Sequence, residues 1–259
     1  MAIALRQVVF VNAVSSTSIS TSASTVTGSA SGQWPQGTPL ANSLLIAAFG
    51  ATTASESTWS VSDTVNGSWG TQAACDAFKN TNSMTLGIFS MTLGSGFTGP
   101  ITVSGSSGGT TSLRLLLGEF TYDNNWVGSG ASGSFDLSYT NTSVGTSTPS
   151  VNMVGPTSQA IELLFCAIII STTTSITAGT GNGWTLGVTD ATPRLGFEWQ
   201  AVTSVTSGLA SNFSLGASAA ENIGVTTYKT GTAASSYTLS AQTTTSSQST
   251  TPPGVIYTL

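Results

Sequence analysis

Along most of the chain, apolar and polar positions alternate with a period of two. Met84, Leu86 and Ile88 do so against small residues, as do Leu113, Leu115 and Leu117, then Phe135, Leu137 and Tyr139, then Val151 and Met153. Side chains at i and i+2 share one face of a strand, so each stretch predicts a β-strand with one buried side. Between them stand Asn66-Gly67, Gly94-Ser95-Gly96, residues 106–109, residues 128–133 and Asn182-Gly183. Gly and Asn tolerate the positive φ that tight β connections require. No window holds a helical period, and the abundant Thr and Val suit a pleated surface. The predicted class is all-β.

The order of these elements repeats weakly. Residues 43–49 (SLLIAAF) lead to Asn66-Gly67-Ser68-Trp69, a strand near Phe89, Ile101-Thr102-Val103 and a closing strand ending Glu119-Phe120-Thr121-Tyr122. Residues 161–170 (IELLFCAIII) lead to Asn182-Gly183-Trp184, Phe197-Glu198-Trp199, residues 212–215 and a closing strand ending in Tyr228. The pattern predicts one large antiparallel, jelly-roll-like β-sandwich over residues 1–230, built from two similar halves. A Ser/Thr/Pro-rich extension, 231–259, should end in a docked strand at 255–259. Residues 15–31, rich in Ser and Thr around Ile19 and Val26, are expected to form an edge strand with a hydroxylated outer face.

Composition then narrows the chemistry. Only 6% of residues are charged and there is no histidine, against about 25% charged in ordinary soluble domains. Ser and Thr fill roughly a third of the positions, so hydroxyls, amides and backbone must wet the surface instead of ions. The net charge is -5, and the five basic residues, Arg6, Lys79, Arg114, Arg194 and Lys229, are scattered singly. They form no phosphate-neutralising track, which argues against a nucleic-acid partner. Residues 1–14 read as a strand, not a signal peptide, because Asn12 interrupts a short apolar run. The longest apolar run, 161–170, is about half a membrane span and reads as a buried strand, so no membrane partner is expected.

Cys75 and Cys166 lie far apart in apolar stretches and are expected to be buried thiols in preference to a long-loop disulfide. With no CxxC pair and no histidine, neither a zinc site nor an activated cysteine is expected, nor any other cofactor. Glu119 and Glu198 are the carboxylates that could serve a glycosidase, but they fall at non-equivalent points of the repeat. Asp63 with Asn66, and Asp123 with Asn124 and Asn125, read as turn formers, since calcium needs about six to eight oxygen ligands. Trp69 and Trp184 occupy matching repeat positions and are expected in the core. Trp34 and Trp126 sit in loop-like segments and are the candidates for exposed contact with a ligand or partner. The chain is therefore expected not to be an enzyme.

The strings LLIAAFGA, WSVSDTVNGSWG, LGIFSMTLGSG, ITVSGSS and SLRLLLGEFTY, followed by ELLFCAIII, FEWQAVTS, NFSLGAS and IGVTTYKTG, resemble tandem-half β-sandwich modules over about residues 5 to 230. Such modules recur in phage minor tail and other virion proteins and in bacterial surface proteins. Asp63, Asn66, Gly67, Trp69, Glu119 and Phe120 approximate their turn and strand-end pattern, and Thr121-Tyr122 departs from the usual Ser-Gly. The resemblance implies fold and brings no catalytic residue. It implies a non-enzymatic structural protein of a bacteriophage virion exterior, a capsid decoration or a tail-associated protein, with other virion proteins or its own copies as partners. The alternative is a secreted or surface carbohydrate-binding module of a bacterium, with a cell-surface glycan as partner.

Overall fold

A computed structural model describes residues 2–13, 16–52, 58–105, 112–179, 183–190, 192 and 194–231. The extension beyond Gly231, with its expected closing strand, lies outside them. The described chain is all-β, with antiparallel sheets and a single 3-10 turn at Gln72–Ala74. The first set of strands is β1 (Ala4–Ala13), β2 (Ser18–Ser20), β3 (Leu44–Thr52), β4 (Trp59–Asp63), β5 (Gly67–Thr71), β6 (Ala77–Thr81), β7 (Met84–Thr92), β8 (Ile101–Gly105) and β9 (Ser112–Thr121). A short β10 (Gly130–Ala131) leads to the second set: β11 (Phe135–Thr146), β12 (Ser150–Asn152), β13 (Glu162–Ile170), β14 (Ile176–Ala178), β15 (Thr185–Thr189), β16 (Leu195–Val202), β17 (Ala210–Leu215) and β18 (Ala219–Lys229).

The two sets pair in the same order. One sheet runs β1-β9-β3-β7, with β6 and β10 both on β7, and its counterpart runs β11-β18-β13-β16-β15. A smaller sheet, β2-β8-β4-β5, belongs to the first half, and β12-β17-β14 to the second. The repeat read from the sequence is thus present as two strand sets, but each set builds its own two-sheet unit. Four sheets are stacked where one sandwich of two was expected.

The reason lies in the apolar runs. In β3, Leu45, Ala47, Phe49 and Ala51 face the small sheet of their own half. Leu44, Ile46 and Ala48 face the other half. In β13, Leu163, Phe165, Ala167 and Ile169 point to the first half, and Leu164, Cys166, Ile168 and Ile170 point to the small sheet β12-β17-β14. A strand covered on both faces has no use for polar alternation, and both read as unbroken apolar runs. Phe120 of the first half meets Phe165 edge-on at 6.1 Å and Trp199 at 5.7 Å. Gly50 permits the close approach, since a Cβ there would fall 2.6 Å from Ile169 Cδ1 and 3.1 Å from Leu195 Cδ1.

Of residues 15–31, the described strand is only β2. It lies at the edge of its sheet with Ile19 buried. Its outer face is a hydroxyl ladder, Ser18 Oγ to Ser104 Oγ at 3.2 Å and Ser20 Oγ to Thr102 Oγ1 at 2.7 Å.

The shared central core makes the halves interdependent. Phe165→Ala should destabilise the protein by about 3–5 kcal/mol. In calorimetry the variant should still melt in one transition at a lower temperature; a separate melting of each half would contradict the shared core.

Candidate functional site

Both tryptophans expected at the surface are buried. Trp34 is fully covered: its Nε1 donates to Ser22 O at 2.9 Å, and its ring meets Phe97 edge-on at 5.9 Å. Trp126, 5% exposed, packs into the central core beside Tyr122. The loop after Trp34 is clasped from far away. Arg6 donates to Gln36 O and to Glu119 Oε2, Gln7 Nε2 donates to Gly37 O at 3.0 Å, and Leu40 N donates to Glu119 Oε1 at 2.8 Å. Trp69 and Trp184 are also core, as their repeated positions implied.

Among the described residues, seven of the nine acidic side chains are buried: Asp63, Asp76, Glu119, Glu162, Asp190, Glu198 and Glu221. Most are engaged as acceptors. Asp63 takes Val65 N and Asn66 N on Oδ1 and Trp69 Nε1, at 2.6 Å, on Oδ2. That is a side-chain-capped turn, with Gly67 at φ 77°, and its oxygens already face N–H donors. Glu119 faces the outer core of the first half through the register Leu45 to Glu119. Glu198, opposite Cys166, faces the outer core of the second. The whole central core separates them, so the two glutamates cannot flank one bond.

Several polar contacts cross between the halves. Tyr228 OH donates to Asp76 Oδ2 at 2.9 Å, while Ser132 Oγ donates to Asp76 Oδ1 at 2.5 Å. Asn222 Nδ2 donates to Met84 O at 2.8 Å and to Thr81 O at 3.1 Å. Here the β6–β7 turn, with Asn82 and Ser83 both at positive φ, docks on the second half. Arg114 pairs with Asp190 and reaches Thr192 Oγ1 at 2.9 Å, and Asp190 Oδ1 accepts from Arg194 N and Leu195 N.

Burial sets the acidities. It pushes Asp76 and Glu221 up, and raises Glu162 and Glu198 from 4.5 to about 7. Both cysteines are free. Burial, with Asp76 adding, pushes Cys75 up to about 12; burial, with Glu198 adding, also raises Cys166. A thiol held neutral is a poor nucleophile, so these two act as small packing groups. Sequence reasoning passed over Asp136, Glu162 and Lys229, where Lys229 Nζ lies 3.5 Å from Asp136 Oδ1. The local signal was an acidic residue at the start of an apolar run. Outside these networks, an open groove of about 330 Å³ is lined by Thr58, Thr71, Gln72, Ala73 and Phe78.

The raised carboxyls carry a pH dependence. Because Glu198 is held above its unfolded value, the fold favours its neutral form. That contribution is fully present below about pH 4.5 and is lost as pH rises through about 7. The melting temperature should fall across this window, and Glu198→Gln, which keeps a neutral side chain, should flatten the fall. A melting temperature that climbed over the same range would contradict the assignment. Trp34→Ala should cost about 3–5 kcal/mol in a denaturant titration, as expected of a core residue and not of a contact residue.

In comparison with known proteins, the chain matches no family model, no curated protein and no solved structure.

Proposed function

We propose that the chain is a non-catalytic structural protein of a bacteriophage virion exterior, seated on capsid or tail, that associates by shape and main-chain pairing. The observation that carries this reading is where the charge sits. With most acidic side chains buried as fasteners, the outward surface is left to hydroxyls, amides and glycine. Such a surface is poorly suited to proton transfer and well suited to packing against neighbours. Edge strands support it too. β11 pairs only with β18 among the described residues, carries Asp136 as its one charged residue, and leaves a long hydroxyl-rich edge. Partners on this reading are other virion proteins or further copies of the chain.

A second reading, a surface glycan-binding module, is favoured by the groove at Phe78, where one aromatic ring stands among Thr58, Thr71 and Gln72. On that reading a glycan array should yield hits that Phe78→Ala abolishes.

The two readings separate on assembled particles. The protein should sediment with intact particles and be labelled on them by antibody without disruption. An interface without ion pairs should also hold equally at low and high salt. Recovery only in a cell-envelope fraction, or release from particles by salt, would overturn the proposal.

A further inference from the structure

Asp136, Lys229 and Glu162 stand on three adjacent strands at one end of the second half's large sheet. β13 and β18 set Glu162 opposite Lys229, and β18 pairs with β11, where the register slips between Phe135 and Ser138. Asp136 sits in that irregularity, a bulge of the kind that re-aims a side chain. Its Oδ1 is 3.5 Å from Lys229 Nζ, with the Asp136 side chain 9% exposed, and its Oδ2 accepts from Ser158 N at 2.9 Å. Glu162 is fully buried and stands against the same Asp136 carboxyl. Its Oε1 accepts from Gln159 N at 3.0 Å, whereas Oε2 takes no donor within hydrogen-bonding geometry, although Thr227 is beside it.

A buried carboxyl oxygen without a donor is costly as an anion and useful as an acid. The Asp136 carboxyl that Glu162 stands against already has Lys229 Nζ 3.5 Å from its Oδ1, and groups held this close within one fold react as if in one molecule. We propose that Lys229 and Asp136 condense within the folded chain into an intramolecular isopeptide bond, with Glu162 as the acid that carries the proton. The ammonium of Lys229 passes a proton to the Asp136 carboxylate, and the freed Nζ lone pair attacks Cγ. Glu162, neutral, donates a hydrogen bond to the carboxyl oxygen as the tetrahedral centre forms. It then delivers its proton to the departing hydroxyl and regains one from the nitrogen. One C–N bond forms, one C–O bond breaks and one water leaves; nothing is oxidised or reduced, and no co-reactant is needed. Burial supplies the neutral acid, since it raises Glu162 from 4.5 to about 7. The product ties the edge strand β11 to β18, the strand from which the chain runs on into residues 231–259.

Mass spectrometry of the intact, full-length protein tests this directly. The folded protein should weigh one water less than its sequence requires, and digestion should release a branched peptide joining the segments that contain Asp136 and Lys229. Lys229→Arg, which keeps the charge and the ion pair, should restore the full mass, as should Asp136→Ala. Glu162→Gln should slow the condensation severely. Wild-type protein at its full sequence mass would reduce the contact to an ion pair and overturn the proposal, as would a water loss that survives in Lys229→Arg. Condensation of Glu162→Gln at the wild-type rate would overturn the role given to Glu162.

Discussion

The central core, where the large sheets of the two halves face one another, is the constraint on which the remainder of the molecule rests. It requires β3 and β13 to be apolar on both faces, since each closes two cores at once. A substitution in either strand is therefore felt on both sides, and little room exists to absorb it in interiors packed to crystal-like density. The small outer sheets can be read as lids. They cover the outer faces of large sheets whose inner faces are already committed, and they need only a few short strands to do so.

Polar contacts between the halves add orientation to this adhesion. Apolar surfaces attract without much direction, whereas Tyr228 on Asp76, Asn222 on two carbonyls and Arg114 on Asp190 each require one angle and one depth. Buried polar groups of this kind contribute modestly to net stability, but a wrong docking would leave each of them unpaired in a dry interior. They select one arrangement of the halves over its neighbours. The same logic explains why so acidic a set of side chains could move inside. Ordinary ion pairing is scarce, so hydroxyls, amides and backbone N–H groups satisfy the carboxyls instead, and protonation covers part of the shortfall.

The strand content was legible in the sequence because alternation and turn chemistry are local properties, visible at Met84, Leu86 and Ile88 or at Asn66-Gly67. The repeat was legible as an order of elements. What covered each face was not, since an apolar run such as LLIAAF records that two faces are dry without recording what dries them. Trp34 and Trp126 were misplaced for a related reason. Each stands in a segment with no period of its own, and the burial of Trp34 depends on a loop held by Arg6, Gln7 and Glu119, residues remote from it in the chain. Asp136 and Lys229 were out of reach, and Glu162 showed only as an acidic residue at the start of an apolar run. No spacing links them, and only the pairing of β11, β18 and β13 brings them to one place.

The buried carboxyls also alter how the molecule looks from outside. The sequence assigns a net charge of -5 near neutral pH, a sum that treats every carboxyl as ionised. With Asp76, Glu162, Glu198 and Glu221 all displaced towards their neutral forms, the folded particle takes up protons that the unfolded chain releases and carries a weaker negative field. Self-repulsion between like-charged neighbours scales with that field. Any neutral or acidic surface brought against the molecule therefore meets less electrostatic resistance than the formal charge of the chain suggests.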